Sequence, residues 1–166
     1  MVPLDCMFNG GVNRSMGKAP ASSSAGDLPE RRFSGTLGDD YQLWRLARPF
    51  LGEVHQVVVR AVRSFTQARN RPLLALDMGM GMGDGAITGL LLADAHLSVT
   101  GVDDEPEMIK KARERLMASL SSGRLKIVLD DVLHFLTNQP SHAFDIIASG
   151  WVLHNLMGDY RARLYD

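Results

Sequence analysis

The stretch that most constrains this chain is a short apolar run that breaks into glycines. Leu73-Leu74-Ala75-Leu76 leads into Asp77 and then Met78-Gly79-Met80-Gly81-Met82-Gly83-Asp84-Gly85. A continuous apolar run bounded by turn residues reads as a strand buried on both faces, as in parallel sheets. The glycines permit a tight turn and let backbone approach a ligand closely. A helix is expected next, from about Gly85 to Ala93.

The same pattern repeats downstream. Leu97-Ser98-Val99-Thr100-Gly101-Val102 reads as a second strand, ending in Asp103-Asp104. Pro106 then opens a helix, since proline suits the first turn. Its stripe is Ile109, Ala112, Leu116 and Leu120, with Lys110, Lys111, Arg113 and Glu114 toward water. Gly123 closes it. Leu125 to Leu129 is a third strand ending in Asp130-Asp131, followed by a short helix from about Leu133 to Asn138. Phe144 to Ala148 is a fourth strand, and from Trp151 the pattern is helical again. This alternation implies an α/β fold with a parallel sheet and right-handed crossovers. Ligands in such sheets bind beyond the carboxyl ends of the strands. Those ends hold Asp77 with its glycines, Asp103, Asp131 and Ser149-Gly150.

Upstream, Tyr41 to Arg69 has helical spacing, divided by Pro49. In the second piece Val54, Val57, Val58, Ala61, Val62 and Phe65 form the expected packing face. Arg60, Arg63, Arg69 and Arg71 read as a wet helical face. Residues 1–32 are rich in Gly, Ser, Ala and Pro, too poor in apolar surface to offset their ordering entropy, and are expected to be a disordered leader. The expected plan is thus a leader over 1–32, N-terminal helices over 33–70 and one α/β domain over 71–166.

Composition narrows the function classes. A net charge of −1 does not suggest a phosphate-backbone partner, so no nucleic acid is expected. The single cysteine, Cys6, excludes a disulfide within one chain and fits a reducing compartment, so a cytoplasmic location is expected. No apolar run reaches the roughly 18 residues of a membrane span.

By itself the glycine loop is ambiguous. Gly81-x-Gly83-x-x-Ala86 satisfies the dinucleotide pattern, with Asp103 about 20 residues on as a ribose acid, and an NAD(P)-binding protein is one reading. A pyrophosphate needs positive potential at the helix start. Asp77 and Asp84 flank this loop and would repel it. They suit a ligand carrying an ammonium and a sulfonium, as S-adenosylmethionine (SAM) does. Asp103 can accept ribose hydroxyls from either cofactor.

Leu76-Asp77-Met78-Gly79-Met80-Gly81-Met82-Gly83 resembles the first motif of class I, Rossmann-like SAM-dependent methyltransferases, an acid followed by Gly-x-Gly-x-Gly. Gly101-Val102-Asp103-Asp104-Glu105-Pro106-Glu107-Met108-Ile109 is similar to the second segment and Val128-Leu129-Asp130-Asp131-Val132 to the third. Phe144 through Leu156 is similar to the fourth strand and the helix after it. Tyr41, Arg45 and Pro49 resemble the helical lead-in of small-molecule members. The resemblance covers roughly residues 33–166. It implies a three-layer α/β/α sandwich with strand order 3-2-1-4, SAM as cofactor and a small-molecule methyl acceptor. It places Asp77, Gly79, Gly81, Gly83 and Ser149 around the cofactor. Asp103 would hold the ribose, Asp104 and Met108 would border the adenine, Asp131 would bond the adenine amino group, and Val132 is a further cofactor-binding position. Two departures stand out. Met80 and Met82 replace small or polar residues, and Met82 is expected to crowd the pocket or lose a polar contact. Family members also continue for about three more strands, so this chain is expected to be incomplete at its C-terminal end and to self-associate through its fourth strand. A non-catalytic remnant is therefore the competing reading.

The remaining candidates are weaker. His154, on the expected helix after the fourth strand, is either a general base or a locally packed residue. Trp151 either borders the acceptor or packs. Asp145 reads as structural. His55, His96, His134 and His142 lack metal-ligand spacing, and no metal is expected.

Overall fold

The computed structural model describes residues 50–165 together with Asp40 and Ala47. The expected leader over 1–32 and the Tyr41–Arg45–Pro49 lead-in lie outside the described residues. Helix α1 spans Leu51–Gln67. Then come β1 (Leu73–Met78), α2 (Ala86–Ala93), β2 (Leu97–Asp103), α3 (Pro106–Arg115) and α4 (Met117–Ser121). The chain continues with β3 (Leu125–Leu129), α5 (Val132–Thr137), β4 (Ile146–Ala148), a 3-10 turn (Leu153–Asn155) and α6 (Gly158–Tyr165). The four strands pair in parallel in the order β3-β2-β1-β4, as the resemblance implied. Asp77 lies level with Gly101 on β2 and Ala148 on β4, and Asp103 lies level with Leu129 on β3. The candidate residues therefore gather at one end of the sheet.

Alternation along the strands divides the side chains between two faces. Leu73, Ala75, Leu97, Val99, Leu125 and Ile127 join Val62, Ile87, Leu90, Ile109 and Ala112 in the main core, under α1, α2 and α3. Leu76 and Val102 point the other way, into a smaller cluster with Phe135 of α5 and partly buried Val128, Val132 and Phe144.

Several local expectations are corrected. Of the proposed α1 face, Val58, Val62 and Phe65 pack on the core, but Val57 is exposed. The helix is turned so that Thr66 is buried and His55 reaches the Asp84 carbonyl oxygen at 2.6 Å. Close packing at Gly89 sets that rotation, since a Cβ there would meet Val58 at 2.7 Å. The arginines are not simply a wet face. Arg63 donates to the Ala93 carbonyl at the C-terminal end of α2 (3.1 Å), and Arg71 lies beyond the helix and pairs with Asp145. Asp145 is structural as expected. It also accepts from the Leu74 backbone N–H at 2.9 Å. The helix expected to run unbroken to Gly123 is divided at Leu116, whose side chain packs where a Cβ on Gly83 would lie, at 2.6 Å. Strand β4 is shorter than expected. Phe144 leaves it to meet Phe135, with ring centroids 6.2 Å apart.

Candidate functional site

The loop between β1 and α2 is held by backbone before any side chain acts. The Val102 carbonyl accepts from Gly79 N–H (2.8 Å) and Met80 N–H (3.0 Å). This fold-back takes Gly79, Gly81 and Gly83 into positive φ, at 67°, 55° and 79°. Such backbone costs side-chain-bearing residues free energy, which is why the loop is built on glycine. The three glycines differ in surroundings. A Cβ on Gly79 would collide with the Val152 side chain, and one on Gly83 with Leu116. Gly81 alone of the three opens onto free space, with nothing within 4 Å of a Cβ position. Gly79 and Gly83 thus let neighbouring structure close on the loop, whereas Gly81 leaves backbone open to a ligand. Both Met82 and Met80 are buried, and Met80 packs near Gly101 and Ile87.

Asp77 is buried at the end of β1. Its Oδ2 accepts from Ile87 N–H at 2.8 Å, which caps the start of α2 from a distance, since Gly85 has no side chain to do so. Its Oδ1 is buried and accepts no hydrogen bond. Desolvation pushes the carboxyl up to about 7, against the lowering effect of Ile87 N–H, and Asp103 adds to the rise. Asp103 ends β2. Its Oδ2 accepts from Gly81 N–H at 2.8 Å and its Oδ1 from Glu105 N–H at 3.0 Å. Burial raises it to about 6, with Asp104 and Glu105 contributing. The charged groups that act on these two carboxyls are therefore other acids.

Of the other expected residues, Asp104 is exposed beside Asp103, while Met108 is buried at the start of α3. Asp131 caps α5: its Oδ1 accepts from His134 N–H at 2.9 Å. Val132, the first residue of α5, packs in the smaller apolar cluster. Ser149 donates to the Met78 carbonyl at 3.3 Å, joining the ends of β4 and β1. After β4 the expected helix does not form. Trp151 takes φ 66° and is exposed. His154 is exposed in the 3-10 turn, and the helix begins only at Gly158. Left-handed backbone at Trp151 stops helical propagation there.

Sequence reasoning assigned no role to Glu105, Val152 or Tyr160. The backbone N–H of buried Glu105 fixes Asp103, Val152 closes on Gly79, and the Tyr160 hydroxyl donates to Asp131 Oδ2 at 2.7 Å. Only Glu105, two residues after an Asp at a strand end, carried a local signal, that of an Asx turn. At the opposite end of the sheet a cavity of about 330 Å³ lies among Thr66, Arg69, Arg71 and His96. It is remote from the strand-end acids. Among the described residues no cluster of three or more His, Cys, Asp or Glu is arranged to hold a metal ion, and no helix is long and apolar enough to cross a membrane.

SAM fits the strand-end residues. A cationic ligand relieves the mutual repulsion of the acids, where a pyrophosphate would add to it. Asp103 keeps free lone pairs for ribose hydroxyls beyond its two backbone bonds. Gly81 leaves the room.

Residues 76–166 match the family described as a methyltransferase domain. No curated protein matches the chain. Among solved structures, the magnesium protoporphyrin IX methyltransferase of Synechocystis PCC 6803, determined with bound SAM, superposes with a TM-score of 0.55 at 21% identity. The match covers 80% of this chain and 64% of that one. A protein of Methanococcus maripaludis assigned as an S-adenosyl-L-methionine-dependent methyltransferase gives 0.59 at 16% identity, covering 84% and 61%. The mitomycin 7-O-methyltransferase MmcR gives 0.54 at 22%, covering 76% and 34%. The chain thus spans less than two thirds of the length of each of these structures. Its matched residues place the chain in the methyltransferase domain family, and its strand order gives it the Rossmann-like fold.

Proposed function

We propose that this chain binds SAM across the carboxyl ends of β1, β2 and β3 and serves methyl transfer to a small-molecule acceptor. The observation that carries the reading is the pairing of buried Asp77 with Asp103 around Gly81, where acids act on acids and a Cβ would meet nothing within 4 Å. In this reading Asp103 holds the ribose, Gly79, Gly81 and Gly83 shape the floor, and Asp77 sets the negative potential. Asp104, Met108, Asp131 and Val132 form the adenine side, and Ser149 steadies the end of β4. When bound, SAM supplies a methyl group already activated on a sulfonium. The chain's contribution is then positioning and the exclusion of water, with a base needed only for a protonated nucleophile. His154 stands in an exposed turn, so no base is assigned to it. The near-neutral charge supports a small acceptor over a nucleic acid, and the single cysteine, Cys6, supports a cytoplasmic setting.

Calorimetric titration of the 166-residue chain with SAM, S-adenosylhomocysteine and NAD tests the cofactor. Binding of the first two and not the third is expected, and preference for NAD would overturn the reading. Gly81→Val should abolish binding while circular dichroism stays nearly unchanged, and retained affinity would put the cofactor elsewhere. A radiolabelled methyl-transfer screen against small acceptors tests the activity. Tight binding without turnover would favour the non-catalytic reading.

A further inference from the structure

The contact between α6 and the start of α5 extends this site, and the inference rests on the proposed role of Asp131 toward adenine. Tyr160 lies in the first turn of α6 and is half-buried. Its hydroxyl donates to Asp131 Oδ2 at 2.7 Å and accepts from Leu133 N–H at 3.0 Å. The other oxygen of Asp131 accepts from His134 N–H at 2.9 Å. One bond on each oxygen fixes the rotation of the carboxylate, which a single bond would leave free to swing. Two bonds occupy only part of its acceptor capacity, roughly four lone-pair positions. Burial and the Asp131 bond raise the Tyr160 phenol, so it stays a donor, and Asp104 adds to that rise. Tyr160 thus stands within the electrostatic reach of both acids assigned to the adenine side.

We infer that Tyr160 is a positioning residue of the adenine subsite: its hydroxyl holds the Asp131 carboxylate in the orientation that accepts the adenine amino group. Helix α6 then contributes to cofactor selection from beyond β4, although it carries none of the recognised motifs.

The test compares two ligands on the intact chain: S-adenosylhomocysteine and its purine analogue, in which hydrogen replaces the 6-amino group. Wild type should prefer the amino ligand. Tyr160→Phe keeps the ring and its packing but loses the hydroxyl. It should weaken binding of the amino ligand about three- to tenfold, the range of one lost hydrogen bond. Binding of the purine analogue should stay near the wild-type value. Asp131→Asn should reduce the same preference at least as strongly. Equal losses for both ligands in Tyr160→Phe would mean that the hydroxyl merely docks α6, and tighter binding of the amino ligand would mean that it obstructs the site. Either result overturns the inference and leaves the cofactor assignment standing. If Asp131→Asn keeps the full preference, the reading of Asp131 itself fails, and the inference with it.

Discussion

Among the described residues, the two faces of the sheet are unequally covered. One packs Leu73, Ala75, Leu97, Val99, Leu125 and Ile127 under α1, α2 and α3 into a single core. On the other, among the described residues, Leu76, Val102 and Phe135 are buried together, while Leu74 is 47% exposed and Ile147 55% exposed. The difference teaches where rigidity comes from. Asp77 and the glycine loop rest on the closed face, where the Ile87 N–H and the Val102 carbonyl hold them. The segment after β4 belongs to the thinner side, and there the helix begins late and Tyr160 supplies a polar tie. Asp77 and the glycine loop are placed by a packed core, whereas the orientation of Asp131 depends on a few hydrogen bonds.

The comparison breaks first on stability. Ile87→Ala or Leu90→Ala on the closed face should each cost about 2–5 kcal/mol by urea denaturation, because a cavity is left in a packed core. Leu74→Ala or Ile147→Ala should cost less than about 1 kcal/mol, since little area is removed from a dry environment. Equal costs on the two faces would show that the second face is covered in solution.

A smaller effect sharpens the ligand side. Asp103→Ala should weaken SAM binding at least about tenfold, roughly 1.4 kcal/mol, through the loss of charged acceptors for the ribose. Calorimetry reads it directly, and an unchanged affinity would remove Asp103 from the site.

The acids also give the free protein a pH dependence of defined sign. Asp77 is raised from 3.8 to about 7, so the folded chain binds its proton more tightly than the unfolded chain does. That contribution to stability is full below about pH 4 and is lost as pH rises toward 7. The slope from one group reaches at most about 1.4 kcal/mol per pH unit. Asp77→Asn should flatten the dependence relative to wild type between about pH 4 and pH 7 in parallel denaturation series. A cation bound beside Asp77 favours the ionised form. Binding of SAM near pH 6–7 should therefore release protons, visible as a dependence of calorimetric heat on buffer ionisation enthalpy. No difference between the two proteins across that range would mean that Asp77 is ionised throughout.

Legibility in the sequence divides along the same line. β1, β2 and β3 were legible because short runs rich in Leu, Val and Ile end in acids, followed in β1 by a glycine series. The rotation of α1 was not legible. Val57 and Val58 are equally apolar, and it is Gly89, 31 residues after Val58, that admits one and leaves the other in water. Nor was the segment after β4. The left-handed backbone falls on Trp151 rather than on the glycine before it, and the Tyr160–Asp131 bond joins residues 29 apart in the chain. Spacing rules see neighbours within a turn or a strand, and both features are set by tertiary contact.

The smallest change in stability concerns β4. Among the described residues this strand pairs only with β1, so its other edge offers free backbone donors and acceptors. Ile146-Ile147-Ala148 is apolar and carries neither lysine nor proline, the usual protections of an edge. Leu74 and Ile147 add exposed apolar side chains near that edge. We expect the purified chain to self-associate through it. Ile147→Lys places a charge on that strand while removing little buried area, so the stability of the monomer should move by no more than about 0.5 kcal/mol. Light scattering should nevertheless show the average mass falling toward that of a single chain, and SAM affinity should be unchanged because Ile147 is 55% exposed and, paired with Leu76, lies on the face opposite Asp77. A wild-type chain that is already monomeric at high concentration would show that this face needs no partner, and that its exposed side chains are tolerated singly in water.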